Sequence, residues 1–133
     1  MIKQGILNPH INSLLCRVRH TNALVIADRG FPYWPVIETV DISLVDGVPT
    51  VLQVLEALLP NFDLSAVYMA QEFKEENTPE TQRRFLEAVK GAPLIFEPHE
   101  TMKQRVPKAI GLIRTGDTTQ YANMVLVSGR PGE

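Results

Sequence analysis

Two polar residues, His20 and Asp28, stand on either side of a short apolar segment and are the first candidates for chemistry. The segment Ala23–Ala27 is continuously apolar, which predicts a buried strand. Ligands of open α/β sheets usually bind outside the carboxyl ends of the strands, so the Asp28 carboxylate is expected to face a crevice. An imidazole can donate and accept protons near neutral pH. A direct pair between His20 and Asp28 is therefore a hypothesis, which their spacing alone does not establish.

Each candidate residue also has a purely structural interpretation. His20 follows the first predicted helix, where the helix dipole favours a cationic imidazole. Asp28 is typical of a turn, and His99 is typical of the exposed start of a helix. Tyr121 and Asn123 are typical of a turn between two strands. The residue types alone leave both interpretations open.

Other kinds of site find little support in the sequence. Neither the dinucleotide-binding pattern G-x-G-x-x-G nor the phosphate-binding loop G-x-x-x-x-G-K-[ST] occurs. The three histidines, at positions 10, 20 and 99, lack the spacing of metal ligands, so no metal site is predicted. His10 is expected to be exposed, and Cys16 is expected to be a buried, inert thiol on the first helix.

Helical and strand patterns alternate along the chain. The first helix is predicted to begin at Asn8-Pro9 and to run to about Arg19, and the others are predicted at 49–60, 78–91 and 98–105. Further strands are predicted at 36–44, 66–73, 94–96, 109–114 and 124–127. A hairpin of the last two strands is compatible with this pattern, which does not fix the strand order. The alternation predicts one α/β domain over residues 1–133 with a largely parallel central sheet.

Composition and charge exclude several classes of protein. The 133 residues carry a net charge of -2 with 44% hydrophobic and 21% charged residues, which predicts a globular domain without a nucleic-acid partner. No stretch approaches the ~20 apolar residues of a membrane span, and the start lacks the apolar run of a signal peptide. The single cysteine cannot form an internal disulfide, which favours a cytoplasmic location. The closing SGRPGE is expected to form a loose tail.

Several segments, in order along nearly the whole chain, resemble the family of D-ribose pyranases and fucose mutarotases. The segments GILNPHINSLL, RVRHTNALVIAD, DISLVDGVPTVLQVL, PHETMK, IRTGD and YAN are similar to the ribose pyranase branch. The stretch LPNFDLSAVYMAQE with TPETQRRF is more similar to the fucose mutarotase branch. No single motif is very specific, but their order and spacing identify the family.

The resemblance implies a three-layer sandwich and an isomerase that interconverts ring forms of a free monosaccharide, D-ribose first of all, without a cofactor. By motif position it makes His20 the general acid/base. The sugar-binding or supporting residues that it implies are Asp28, His99, Tyr121, Ala122 (through its backbone) and Asn123. It further implies a ring-shaped homo-oligomer, such as a decamer, in which parts of one site come from two chains.

Two departures from the family pattern lie beside the predicted site. Arg19 stands where the family usually has glycine, and Arg29 stands where it usually has a small residue. Three effects of these cations stay open: a narrower site, a different preferred sugar, or the binding of a charged substituent. Two alternatives stay open: a fucose mutarotase-like enzyme that acts on L-fucose, and a non-catalytic monosaccharide-binding or regulatory module.

Overall fold

The helices and strands of the chain come from a computed structural model, which describes residues 1–130. The helices are α1 (Pro9–Arg17), α2 (Val51–Leu58), α3 (Glu72–Glu76), α4 (Pro79–Ala88) and α5 (His99–Lys103). The strands are β1 (Ala23–Ala27), β2 (Glu38–Asp41), β3 (Leu64–Ala70), β4 (Leu94–Glu97), β5 (Gly111–Arg114) and β6 (Met124–Ser128). Short 3₁₀ turns follow α2 and α5.

Side chains that accept hydrogen bonds from backbone amides mark the starts of three helices. The Asn8 side chain accepts from two amides at the start of α1, and the Thr78 side chain accepts from one at the start of α4. Thr50 and Gln53 form a reciprocal capping box at the start of α2. Helix α1 ends at Arg17, two residues before the predicted end, because Val18 has an extended backbone.

The central sheet has the strand order β2-β5-β1-β6-β3-β4. Every neighbouring pair is parallel except the two that involve β6, which is antiparallel to both β1 and β3. The hairpin between the last two strands is therefore wrong, because β1 lies between β5 and β6. The connection from β5 instead passes the end of β1, where the Arg29 N–H donates to the Asp117 carbonyl at 3.0 Å and the Asp28 N–H donates to Asn123 Oδ1 at 2.7 Å.

Helices cover both faces of the sheet. Helices α1 to α4 pack on one face, where Leu14, Leu55 and Phe85 are buried. Helix α5 and the 3₁₀ turn after it cover part of the other face through Met102 and Val106. The predicted three-layer α/β sandwich with a mostly parallel sheet is confirmed. Strand β1 lies between the two layers, which explains its continuously apolar sequence.

Several local predictions differ from the structure. Strand β3 ends at Ala70, and Phe73, which was expected in the strand, instead lies on the inner side of α3, 4.7 Å between ring centroids from Phe85. His10 is exposed, as predicted, but Cys16 is exposed rather than buried. The buried side of α1 is formed by Ile11 and Leu14. Cys16 is exposed because it is two positions beyond Leu14 and therefore lies about 200° around the helix from it.

The predicted tail is only partly described. Ser128 belongs to β6, and the Gly129 N–H donates to the Asp63 carbonyl at 2.9 Å, so this part of SGRPGE packs on the domain. Residues 131–133 lie outside the described residues. Within residues 1–130, no helix combines the length and apolar character needed to cross a membrane.

Candidate active site

Four of the predicted site residues meet at one edge of the sheet. Asp28 follows the carboxyl end of β1, His99 follows that of β4, and Tyr121 and Asn123 precede β6. Because β6 runs in the opposite direction, its start lies at the same edge as the ends of its neighbours. A pocket of about 200 Å³ opens there, and its lining consists of Asp28, Gly30, Phe31, Pro32, His99, Gln120, Tyr121 and Asn123.

The Asp28 carboxylate is partly buried in this pocket. Its Oδ1 accepts a hydrogen bond from the Gly30 N–H at 3.0 Å. Burial is the main factor that raises the pKa of Asp28 above its ordinary value, and the negative charge of Asp117 adds to it. The amides of Gly30 and Phe31 and the charge of Arg114 act in the opposite direction without cancelling the increase. The pocket therefore holds a carboxylate that accepts hydrogen bonds more readily than an exposed one.

The YAN segment supports Asp28 as well as lining the pocket. Asn123 is 2% exposed, and its side-chain Oδ1 accepts the Asp28 N–H at 2.7 Å. Tyr121 has a positive φ of 54°, a conformation that is unfavourable for a tyrosine and that the surrounding structure must hold. Ala122 is fully buried and is not among the residues that line the pocket. The amide oxygen of Asn123 is therefore used to position the loop.

Aromatic rings surround His99. Its imidazole makes edge-to-face contacts with Phe31 and Tyr121, with ring centroids 6.0 Å and 5.1 Å apart. Its backbone N–H donates to both carboxylate oxygens of Glu72, at 3.1 Å and 3.2 Å. Its Nδ1 is buried and has no hydrogen-bond partner among the described residues. Buried polar atoms are normally hydrogen-bonded, so this nitrogen is suited to a polar ligand in the pocket.

The donors and acceptors of the pocket suit hydroxyl groups better than a metal ion. Asp28 offers carboxylate oxygens, Tyr121 a phenol hydroxyl and His99 an imidazole nitrogen, which together can hydrogen-bond several hydroxyls of one small molecule. Across the part of the chain that the structure describes, no three His, Cys, Asp or Glu side chains are grouped to hold a metal.

His20 does not reach this pocket within one chain. It lies in the turn before β1, whereas Asp28 follows the other end of that strand. A five-residue strand spans roughly 13 Å between its ends. The hypothesis of a direct His20–Asp28 pair within one chain is therefore wrong, because the extended strand places the two residues at opposite edges of the sheet. His20 is exposed there, beside a groove of about 430 Å³ that Thr21 and Asn22 help to line.

The two unusual arginines do not line the pocket either. The Arg19 guanidinium donates to the carbonyl oxygens of Cys16 and Val18, at 2.7 Å and 3.0 Å. The Arg29 guanidinium forms an ion pair with Asp46 at 2.7 Å. Arg29 instead lines an adjoining pocket of about 410 Å³, which shares Asp28, Gly30 and Gln120 with the first.

Sequence reasoning assigned no role to several residues that hold the site in place. The buried Asp117 carboxylate accepts from the N–H groups of Val51 and Thr119, both at 2.8 Å. The Asn77 side chain donates to the Gln120 carbonyl at 2.9 Å, next to the YAN segment. Asp117 belongs to the IRTGD segment, and a cluster of polar residues between two apolar strands was the available signal.

The chain matches a family model and curated relatives over nearly its whole length. A model described as the RbsD / FucU transport protein family matches residues 1–131. The D-ribose pyranases of Geobacillus kaustophilus and Halalkalibacterium halodurans are each 40% identical to this chain, over 97% of its length and 94% and 98% of theirs.

Solved structures extend the comparison. A structure of Bacillus subtilis RbsD complexed with D-ribose is 34% identical, with a TM-score of 0.88 over 97% of this chain and 98% of the other. A fucose mutarotase from Streptococcus pneumoniae in complex with L-fucose is 22% identical and shares the fold, with a TM-score of 0.75 over 92% and 93% of the chains. The chain therefore belongs to the RbsD / FucU transport protein family.

Proposed function

We propose that this protein is an isomerase that interconverts the pyranose and furanose forms of free D-ribose by ring opening and reclosure. One observation supports the proposal: in a chain that is 40% identical to D-ribose pyranases, one small pocket is lined by Asp28, His99, Tyr121 and Asn123. A cytoplasmic location is part of the proposal, since the single cysteine cannot form an internal disulfide.

The reaction needs two proton transfers and no redox step. A base removes the proton of the anomeric hydroxyl, an acid protonates the ring oxygen, and the bond between that oxygen and the anomeric carbon breaks. The open-chain aldehyde then recloses. Attack by a different hydroxyl changes the ring size, and attack by the same hydroxyl on the other face of the carbonyl changes the anomer. An imidazole can serve as both base and acid, because its ordinary pKa lies near neutral pH.

The pocket residues would hold the sugar while its ring opens. Asp28 accepts hydrogen bonds from hydroxyl groups, and its partial burial strengthens this interaction. The buried Nδ1 of His99, which has no hydrogen-bond partner within residues 1–130, gains one from the sugar. The Tyr121 hydroxyl can donate to or accept from a further sugar oxygen.

The general acid/base of the proposal is His20, supplied by a neighbouring copy of the chain. Within one chain His20 lies at the opposite edge of the sheet from the pocket, so it can act only where subunits meet. The proposal therefore includes a ring-shaped homo-oligomer in which the exposed His20 of one subunit completes the pocket of the next. His99 is the alternative acid/base, because it already lies in the pocket of the same chain.

Exchange NMR on D-ribose and L-fucose tests the function. The wild-type protein should accelerate exchange between ribose ring forms, and His20→Ala should lose most of an acceleration of about 10²–10⁴-fold. His10→Ala is the matched control, because His10 is an exposed imidazole on α1. A larger acceleration for L-fucose would reassign the substrate. Sugar binding without any acceleration of the exchange would contradict the proposed isomerase activity and indicate a binding module.

Mixing two inactive variants tests whether the site spans two chains. Oligomers assembled from equal amounts of His20→Ala and Asp28→Asn chains should contain about a quarter of their sites with both functional residues, and should recover about that share of activity. Mixed oligomers that stay inactive, although mass measurement shows both chains in them, would place the whole site within one chain. His99→Ala would then be the next variant to assay.

A further inference from the structure

We propose that Arg114 is a positioning residue, which fixes the backbone of residues 28–32 so that Asp28 faces the sugar. This inference rests on the proposed function, because it assigns the loop that Arg114 holds to the sugar pocket. Arg114 itself does not line that pocket.

The Arg114 guanidinium bridges the carbonyl oxygens of the loop. Its Nη1 lies 3.1 Å from the Asp28 oxygen and 3.4 Å from the Arg29 oxygen, and its Nη2 lies 3.1 Å from the Pro32 oxygen. These three contacts connect both ends of the loop to one planar group. A lysine has a single ammonium and could not reproduce this fork.

The backbone of Arg114 is fixed in the sheet. Arg114 is the last residue of β5 and pairs in parallel register with Ala27, the residue directly before Asp28. The Thr115 hydroxyl also donates to the Ala27 carbonyl at 2.7 Å. The guanidinium therefore extends from a rigid strand end onto a segment without regular secondary structure.

The N–H groups at the start of the loop have partners other than Arg114, which contacts carbonyl oxygens only. The Asp28 N–H donates to Asn123, the Arg29 N–H donates to the Asp117 carbonyl, and the Gly30 N–H donates to the Asp28 carboxylate. Asn123 and Arg114 thus hold the two peptide groups that flank the Asp28 side chain. Loss of either should let the carboxylate move relative to the pocket.

The arginine also contributes its charge. It lowers the pKa of Asp28, against the larger effect of burial. An uncharged replacement should therefore change both the position and the proton affinity of the carboxylate, whereas lysine should change mainly the position.

The test compares Arg114→Lys and Arg114→Gln with Arg17→Gln. Arg17 is the matched control, because its guanidinium also donates to a backbone carbonyl, that of Ser13, but it lies on α1, which does not line the pocket. Both Arg114 variants should weaken ribose binding, with kcat/KM reduced roughly 10- to 100-fold, mostly through KM. The pKa of Asp28, followed by NMR, should rise in Arg114→Gln and stay closer to wild type in Arg114→Lys. Arg17→Gln should change none of these values.

Amide hydrogen exchange separates positioning from general destabilisation. The Gly30 and Phe31 amides should exchange faster in both Arg114 variants, while the amides of β3 keep their wild-type protection. Wild-type ribose affinity in both variants, or an equal loss of amide-exchange protection in β3 and in the loop, would contradict the positioning role of Arg114. If the wild-type protein accelerates no sugar exchange, the proposed function fails. The amide exchange and the Asp28 titration then still decide whether Arg114 holds the loop.

Discussion

Replacing the buried Asp117 by alanine should destabilise the fold by about 3–6 kcal/mol, since two hydrogen bonds to a charged acceptor contribute about 1.5–3 kcal/mol each. The carboxylate accepts from the Val51 N–H, the first amide of α2, and from the Thr119 N–H, in the connection that leads to Tyr121. The variant leaves both amides without their acceptor. The loss should therefore loosen the start of α2 and the loop before β6 together.

Thermal and urea unfolding measure this effect. With an unfolding entropy of about 2.1 cal/mol/K per residue, a loss of 3–6 kcal/mol lowers the Tm by roughly 10–20 °C. Protein concentration must be held constant, because dissociation of an oligomer changes the apparent Tm. Asp117→Asn keeps one side-chain oxygen as an acceptor and should lose about half as much stability.

An exposed aspartate provides the control. Asp46 is paired with Arg29 at the surface, so Asp46→Ala should cost less than about 1 kcal/mol. If the free energy of unfolding of Asp117→Ala lies within about 1 kcal/mol of the wild-type value, the two hydrogen bonds do not stabilise the fold and the reasoning is refuted. The charge of Asp117 also raises the pKa of Asp28, so Asp117→Asn should lower that pKa in NMR titrations.

Two further predictions concern the same edge of the sheet. Because the pKa of Asp28 is raised on folding, the native state holds its proton more tightly than the unfolded state, and stability falls as pH rises from the ordinary value of 3.8 through the raised value. Asp28→Asn should therefore remove this fall in unfolding experiments across that range, while weakening ribose binding; an unchanged pH dependence would contradict the shift. Gly116→Ala should lower the free energy of unfolding by at least about 1–3 kcal/mol, because a Cβ there would clash with the carbonyl oxygens of Val45 and Val48. A urea unfolding midpoint equal to that of wild type would refute this.

Local sequence signals predicted the positions of most helices and strands. Asn8 and Thr78 mark helix starts because a cap depends on neighbouring residues alone. The same local reasoning failed at Phe73, since an apolar residue after a strand fits either a longer strand or the inner side of a following helix. The place of β6 between β1 and β3 was not predictable, because strand order depends on contacts between residues far apart in the chain.

The candidate site was likewise predictable only in part. The carboxyl ends of parallel strands share one edge, so the position of Asp28 was predictable from a single apolar strand. The roles of Arg114 and Asp117 were not, because their hydrogen bonds join residues 86 and 66 positions apart. The separation of His20 from the pocket within one chain was predictable, because the predicted strand 23–27 lies between His20 and Asp28. The family resemblance identified its motif, whereas its distance from Asp28 follows from the extended backbone of β1.

The central antiparallel strand has a consequence for biosynthesis. Strands β2, β5 and β1 form one part of the sheet and β3 and β4 another, and β6 is the strand that joins them. As the chain leaves the ribosome, β1 and β3 each keep an unpaired inner edge until residues 124–128 have emerged. Such open edges are templates for pairing with other nascent chains. The sheet should therefore close late in translation, and variants that weaken β6 should reduce the yield of soluble protein more than their effect on the finished fold implies.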